Sequence, residues 1–141
     1  MNNMKKYLLD TNICIAILRK DEHVREIISH IDISQCYISE ITILELKVGV
    51  LLGKAKAKQG KYVDQRLDNF LSYITVLPIS SALDFFAEEK VRLQLKGTPA
   101  HNNFDLLIGC TAVTNQMVMV TDNIKDFKNI RDIEIENWIK H

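Results

Sequence analysis

The sequence predicts an α/β protein: a three-layer α/β/α fold around a central, mainly parallel sheet of four to five strands. Three observations carry this. Short apolar segments recur at residues 5–9, 36–38, 74–77 and 117–121. Between them lie longer stretches whose apolar residues recur every three or four positions, the period of a helix with one buried face. Strands alternating with such helices need crossover connections, so neighbouring strands run parallel and both sheet faces are covered. A length of 141 residues suits a single domain, 1–141, and 47% hydrophobic residues suffice for its core.

Residues 5–9 read as a buried strand and 12–20 as the helix after it. A second helix over 22–31 places Val24, Ile27, Ile28 and Ile31 on one face. Cys36-Tyr37-Ile38 is the second strand. Ser39 opens a helix to about Leu52, with Ile41, Leu44, Val48 and Leu51 or Leu52 as its apolar stripe. Gly53 ends or bends that helix. Residues 54–61, carrying Lys54, Lys56, Lys58 and Lys61 but no apolar stripe, read as an exposed basic arm. The next helix, 61–73, turns Val63, Leu67, Phe70 and Leu71 inward, and 74–77 is the third strand, stopped by Pro78. Ser81, with Asp84 three residues on, resembles a helix start. That helix runs to Lys96 with Leu83, Ala87, Val91 and Leu95 as its stripe; Gly97 caps it and Pro99 blocks continuation. Asn102-Asn103 caps a helix over about 104–115, and 117–121 is the fourth strand. Ile133-Glu134-Ile135-Glu136 alternates like a fifth strand at an edge.

Asp10 constrains function most. It ends the apolar run Tyr7-Leu8-Leu9 and meets a helix beginning Thr11-Asn12. A carboxylate closing a buried strand is costly unless something pairs with it. Glu45, Asp105 and the Asp122/Asp126 pair sit in comparable settings with no local cation. In an open parallel sheet, ligands bind beyond the carboxyl ends of the strands, and right-handed winding brings all these acids to that rim. Each has a local explanation too. Asp10 could be a turn residue, and Glu45 could complete a capping box with Thr42. Asp105 could serve a helix dipole, and Asp122 and Asp126 could be turn chemistry. The set favours a shared role. Oxygen ligands around one cleft suit a hard divalent cation, Mg2+ or Mn2+, and hence phosphate chemistry. Clustered carboxylates repel one another, so one of them should have a raised pKa.

Other classes lose support. His23, His30, His101 and His141 follow no zinc pattern. Cys14, Cys36 and Cys110 fit no metal-ligand spacing and read as small buried hydrophobes in a reducing cytoplasm. The phosphate loops G-x-x-x-x-G-K-[ST] and G-x-G-x-x-G and the elbow G-x-S-x-G are missing. A phosphotransfer domain with Asp10 as nucleophile would want a second acid where Asn12 stands. Eighteen Lys+Arg balance eighteen Asp+Glu, so nucleic-acid binding requires a local patch, for which the lysine arm is a candidate. No apolar run approaches the ~20 residues of a membrane span, and the expectation is a soluble cytoplasmic protein.

Several segments, in this order and spacing, resemble the PIN domain and specifically the VapC-type toxin ribonucleases. They are Leu8-Leu9-Asp10-Thr11-Asn12-Ile13, Ser39-x-Ile41-Thr42-x-x-Glu45-Leu46, Lys96-Gly97-Thr98-Pro99, Phe104-Asp105-Leu106-Leu107-Ile108-Gly109, Val120-Thr121-Asp122-Asn123-x-x-Asp126-Phe127 and the tail Ile133–Trp138. The resemblance implies a PIN-like fold and a metal-dependent endoribonuclease acting as the toxin of a toxin–antitoxin pair. It maps Asp10, Glu45 and Asp105 onto three central acids, with Asp122, Asn123 and Asp126 competing for the fourth place. Asp10 and Asp105 would bind Mg2+ or Mn2+ directly. Glu45 and the fourth acid would complete a second metal position or act through water. Thr11 and Thr121 match cleft-lining hydroxyl residues, and Phe104 stands where the family often has Asn. A VapB-type antitoxin, a structured RNA substrate such as a tRNA anticodon loop, and a homodimer are implied as partners. The alternative is a non-catalytic PIN-like module that binds RNA or protein.

Overall fold

The structure is a computed structural model that describes residues 4–56 and 61–141, and of 61–64 the backbone alone. The expectations for Lys58, Val63 and the Lys61 side chain lie outside the described residues. Strands β1 (Tyr7–Leu9), β2 (Cys36–Ser39), β3 (Thr75–Leu77), β4 (Val118–Val120) and β5 (Ile135–Glu136) form one sheet. Their order is β3-β2-β1-β4-β5, and every pairing is parallel. The expected fold class is observed, with the fifth strand at an edge.

The helices are α1 (Thr11–Leu18), α2 (Glu22–Ser29), α3 (Glu40–Lys56), α4 (Lys61–Tyr73), α5 (Leu83–Lys96), α6 (Asn103–Thr114) and the short α7 (Ile124–Phe127). Successive strand residues point to opposite faces, and the core divides accordingly. Leu9, Ile38 and Val120 pack with Ile13, Val24, Leu67 and Phe70 from α1, α2 and α4. Leu8 and Met119 pack on the other face with Leu93, Leu106, Ile108 and Phe127 from α5, α6 and α7. The cysteines are buried and unpaired, as expected. The chain winds outward from β1 to β2 and β3, then returns to lay β4 against β1's other side. The carboxyl ends of β1 and β4 therefore flank a topological switch point.

Local chemistry explains several boundaries. The Ser39 hydroxyl accepts from Ile41 N and opens α3. Asn102 accepts from Phe104 N and caps α6. Gly97 ends α5 at φ +84°, a left-handed conformation that costs a glycine nothing.

Four expectations are corrected. First, α3 continues through Gly53 to Lys56; one exposed glycine costs a helix only about 1 kcal/mol, too little to stop it. Second, of the stripe read on α3 only Ile41 is buried, with Thr42 and Leu46 beside it, while Leu44, Val48, Leu51 and Leu52 face outward and are exposed. Third, α5 is likewise turned, exposing Leu83, Val91 and Leu95 while burying Glu89 and Leu93. Apolar spacing says which residues share a helix face, not which face meets the sheet. On α5 the buried carboxylate hid the inner face. Glu89 is held by Arg92 Nε and Nη2, each at 2.7 Å, and accepts from Arg131 N. Fourth, Ser81 does not cap α5. A 3-10 turn, Ile79–Ala82, precedes the helix, and the Ser81 hydroxyl accepts from Asn115 instead.

Candidate active site

Asp10 leaves β1 on a backbone bond from its own N–H to Val120 O, 2.9 Å, which fixes it at the β1–β4 rim. The residue is only 4% exposed. One oxygen accepts from Thr11 N at 2.8 Å, so Asp10 caps α1, and the other accepts from the Thr121 hydroxyl at 2.8 Å. Thr121 in turn accepts from Asn123 N, which shapes the loop after β4. The two threonines picked out by sequence thus act on the acids directly. The Thr11 hydroxyl donates to Glu45 Oε1 at 2.5 Å and pins the middle of α3 to the start of α1. Thr42 lies buried inside α3, so the capping-box explanation of Glu45 fails.

Asp105 enters from the first turn of α6 and Asp126 from α7. Burial pushes the Asp105 carboxyl up to about 6, and the charges of Asp10, Glu45 and Asp126 push in the same direction. Burial also raises Asp10, offset by the Thr121 and Thr11 hydrogen bonds and reinforced by Glu45 and Asp126. Asp10, Glu45, Asp105 and Asp126 therefore share one electrostatic neighbourhood. Among the described residues, none of the four forms an ion pair with Lys, Arg or His. A raised carboxyl was expected from mutual repulsion; desolvation is the larger cause.

Asp122 stands apart. Its Oδ1 accepts from Asn137 Nδ2 at 2.9 Å and meets His141 Nε2 at 2.7 Å. These contacts hold its carboxyl below the usual range, with His141 the larger cause. Its N–H donates to Asn12 Oδ1 at 3.3 Å. Asn123 is exposed at the head of α7. Of the three competitors for the fourth position, Asp126 is the one whose charge reaches Asp10 and Asp105. That Asn12, Asn137 and His141 meet at Asp122 is not visible in the sequence, because contacts between distant segments leave no local pattern.

Lys54 and Lys56 lie in the last turn of α3. At ~1.5 Å per residue they stand roughly 13–17 Å along the helix from Glu45, away from the rim.

The donor set is all carboxylate oxygen, the chemistry that hard divalent cations select. Among the described residues, no three such side chains converge closely enough to form a finished cage. Glu45 is turned to Thr11, and Asp10 spends both oxygens on hydrogen bonds. The site fits a cation in charge and donor type, with repulsion between the carboxylates still uncompensated.

Comparison with known proteins places the fold in a family. The PIN domain matches residues 7–133. Ribonuclease VapC2 of Rickettsia felis is 35% identical over 137 residues, covering 95% of this chain and 98% of that one. The tRNA(fMet)-specific endonuclease VapC of Salmonella typhimurium is 34% identical over 137 residues, covering 96% and 99%. Among solved structures, DNA-bound VapBC from Salmonella typhimurium matches with a TM-score of 0.83 at 33% identity, covering 96% and 100%. VapBC2 from Rickettsia felis, bound to a promoter DNA fragment, matches with a TM-score of 0.80 at 30% identity, covering 94% and 98%.

Proposed function

The chain belongs to the PIN-domain family, within its VapC branch, and from that premise we propose that it is a metal-dependent endoribonuclease, the toxin of a VapBC-type pair. The observation that carries this is the group of four acids, Asp10, Glu45, Asp105 and Asp126, at one sheet rim without a protein cation. Carboxylates gathered without a cation repel one another and oppose folding, so their collection at one rim points to a ligand that neutralises them. Asp10 and Asp105 are the residues that would hold Mg2+ or Mn2+ directly, with Glu45 and Asp126 beside them. A bound cation supplies an activated water and neutralises charge on the scissile phosphate. The chain's own part is to orient: Thr121 fixes Asp10, Thr11 fixes Glu45, and the α6 cap at Asn102 aims Asp105.

The substrate on this reading is structured RNA, with a tRNA anticodon loop as the model, supported by the tRNA(fMet)-specific name of the Salmonella relative. A VapB-type antitoxin is the inhibitory partner, supported by the VapBC complexes among the structural matches. Exposed Ile15, Leu44, Val48 and Leu51 on α1 and α3 offer its apolar docking surface. The outward stripe of α5, with Leu95 83% exposed, suits a second copy of the chain.

The test is induced expression of the wild type beside Asp10→Asn, with folding checked by circular dichroism and RNA 5′ ends sequenced. Discrete cleavage sites that disappear in the variant are expected. Equal cleavage by both removes the acid site from the chemistry. No cleavage by either leaves the non-catalytic binding module as the better reading.

A further inference from the structure

Two grooves flank the acid rim, one in each helical layer. The first is lined by Ile15, Leu18, Leu46 and Val50, with Glu45 at one wall and Arg19 and Arg66 beside it; it offers about 300 Å³. Leu18, Leu46 and Val50 belong to the core on the α1–α4 side of the sheet. The second, also about 300 Å³, has Asp126 in its wall together with His101, Lys125 and Pro99. Its floor, Leu93, Leu106 and Ile130, belongs to the core on the other side. The grooves share no residue, yet each contains one of the four acids. Each groove therefore reaches the acid group through one member, Glu45 or Asp126, and the charges of both act on Asp105.

The charges are arranged with the same logic. The rim is anionic and unpaired, whereas Arg19, Arg66, His101 and Lys125 are basic side chains that line the grooves outside it. Among the described residues, none of these four has a side-chain hydrogen bond or ion pair. An arginine held against apolar surface with no carboxylate partner is ready to bind phosphate. Apolar floor beside cation is also how sequence-tolerant sites hold a single-stranded nucleotide, the base on the floor and the phosphate on the charge. A volume of ~300 Å³ is at the lower end for a ligand pocket, enough for one nucleotide and too little for a duplex.

Resting on the ribonuclease reading above, we propose that an unpaired RNA strand crosses the rim, with one flanking nucleotide in the Arg19/Arg66 groove, the other in the His101/Lys125 groove, and the scissile phosphate at the acids between. The distant Lys54 and Lys56 are then unnecessary for cleavage of a short strand. Specificity for loops follows, since only splayed nucleotides fill both grooves.

The probe is bulk transfer RNA, cleaved by wild type, Arg19→Ala/Arg66→Ala and Lys125→Ala in the presence of Mg2+, with cleaved ends sequenced and KM and kcat measured at several salt concentrations. All three side chains are exposed, so the variants are expected to fold; Arg66→Glu provides a second, stronger perturbation. For the arginine pair, KM should rise tenfold or more, with a smaller fall in kcat. The salt slope should shrink by ~1.4, the single-strand value for two phosphate contacts. A methylphosphonate on either side of the cleaved bond should raise KM for wild type and not for the variant of the corresponding groove. Wild-type cleavage with unchanged KM and slope in the variants overturns the strand path and leaves the ribonuclease reading standing. Variants that lose only affinity for an antitoxin peptide also overturn it, assigning the first groove to a protein. Intact RNA with the wild-type protein sinks both readings together.

Discussion

The Thr121 hydroxyl donates to Asp10 Oδ2 at 2.8 Å across 111 residues of sequence, and the bond is buried. It joins the ends of the two strands that flank the switch point. It also opposes the larger effect of burial on Asp10, since burial favours the neutral acid and this donor favours the carboxylate.

Replacing Thr121 with valine keeps the shape and removes the donor. Asp10 Oδ2 is then buried without a partner, at a cost of about 1–3 kcal/mol of stability. The Asp10 pKa rises further, so the acid limb of the pH–rate profile moves to higher pH. Thr121→Ser should restore both. Urea unfolding and a pH–kcat/KM profile read the two effects separately; a pH profile unmoved in Thr121→Val would detach the threonine from Asp10's charge.

Asp105 is raised from 3.8 to about 6 in the folded chain. A carboxyl raised by folding binds its proton more tightly in the native state. Its ionisation therefore opposes folding, fully so above pH 6, and the penalty fades as pH falls from 6 to about 4. Asp105→Asn is expected to be more stable than wild type at pH 7.5 without added metal, and nearly equal to it at pH 4. Melting curves at the two pH values check this. A stability gap that is the same at both would place the repulsion elsewhere.

The same repulsion predicts a response to Mg2+. A cation that binds only the folded state stabilises it by about 2.7 kcal/mol at a hundred times its Kd. For a chain of this size that is roughly 5–10 °C in Tm. Asp10→Asn and Asp105→Asn should show little of the increase. Differential scanning fluorimetry across a millimolar Mg2+ series measures it, and a flat wild-type response would argue against a preorganised cation site.

Much of this was legible in the chain because strand-end acids are a local pattern. Asp10 after Leu8-Leu9 and Asp105 after an asparagine cap are visible without a structure, and parallel topology then places both at one rim. The choice of Asp126 over Asp122 was not legible. It depends on Asn137 and His141 folding back onto Asp122, a contact between residues that share no pattern. The orientation of α3 and α5 was also hidden. Their exposed leucines and valines satisfy helical spacing as well as core residues do, and Glu89, the residue that marks the inner face of α5, is charged. Local chemistry reads well from sequence; the rotation of a two-sided helix does not.

Gly109 supplies the last test, because it links core packing to the site. A Cβ there would lie 2.3 Å from Ile130 Cδ1 and 3.0 Å from Phe127 Cδ1. Both side chains are buried, so neither can swing out to solvent. Gly109→Ala must therefore repack the Ile130 and Phe127 side chains or shift α6 against α7 and the loop after it. Overpacking of this kind costs about 1–3 kcal/mol. Asp105 rides on α6 and Asp126 on α7, so any shift of one helix against the other changes the spacing of two of the four acids. The variant should lose kcat by more than its folded fraction explains, and Ile130→Val in the same chain, which frees the nearest methyl, should recover part of both stability and rate. Urea titration alongside single-turnover RNA cleavage distinguishes the two effects. Full activity in a destabilised Gly109→Ala protein would mean that the spacing of Asp105 and Asp126 does not limit the reaction.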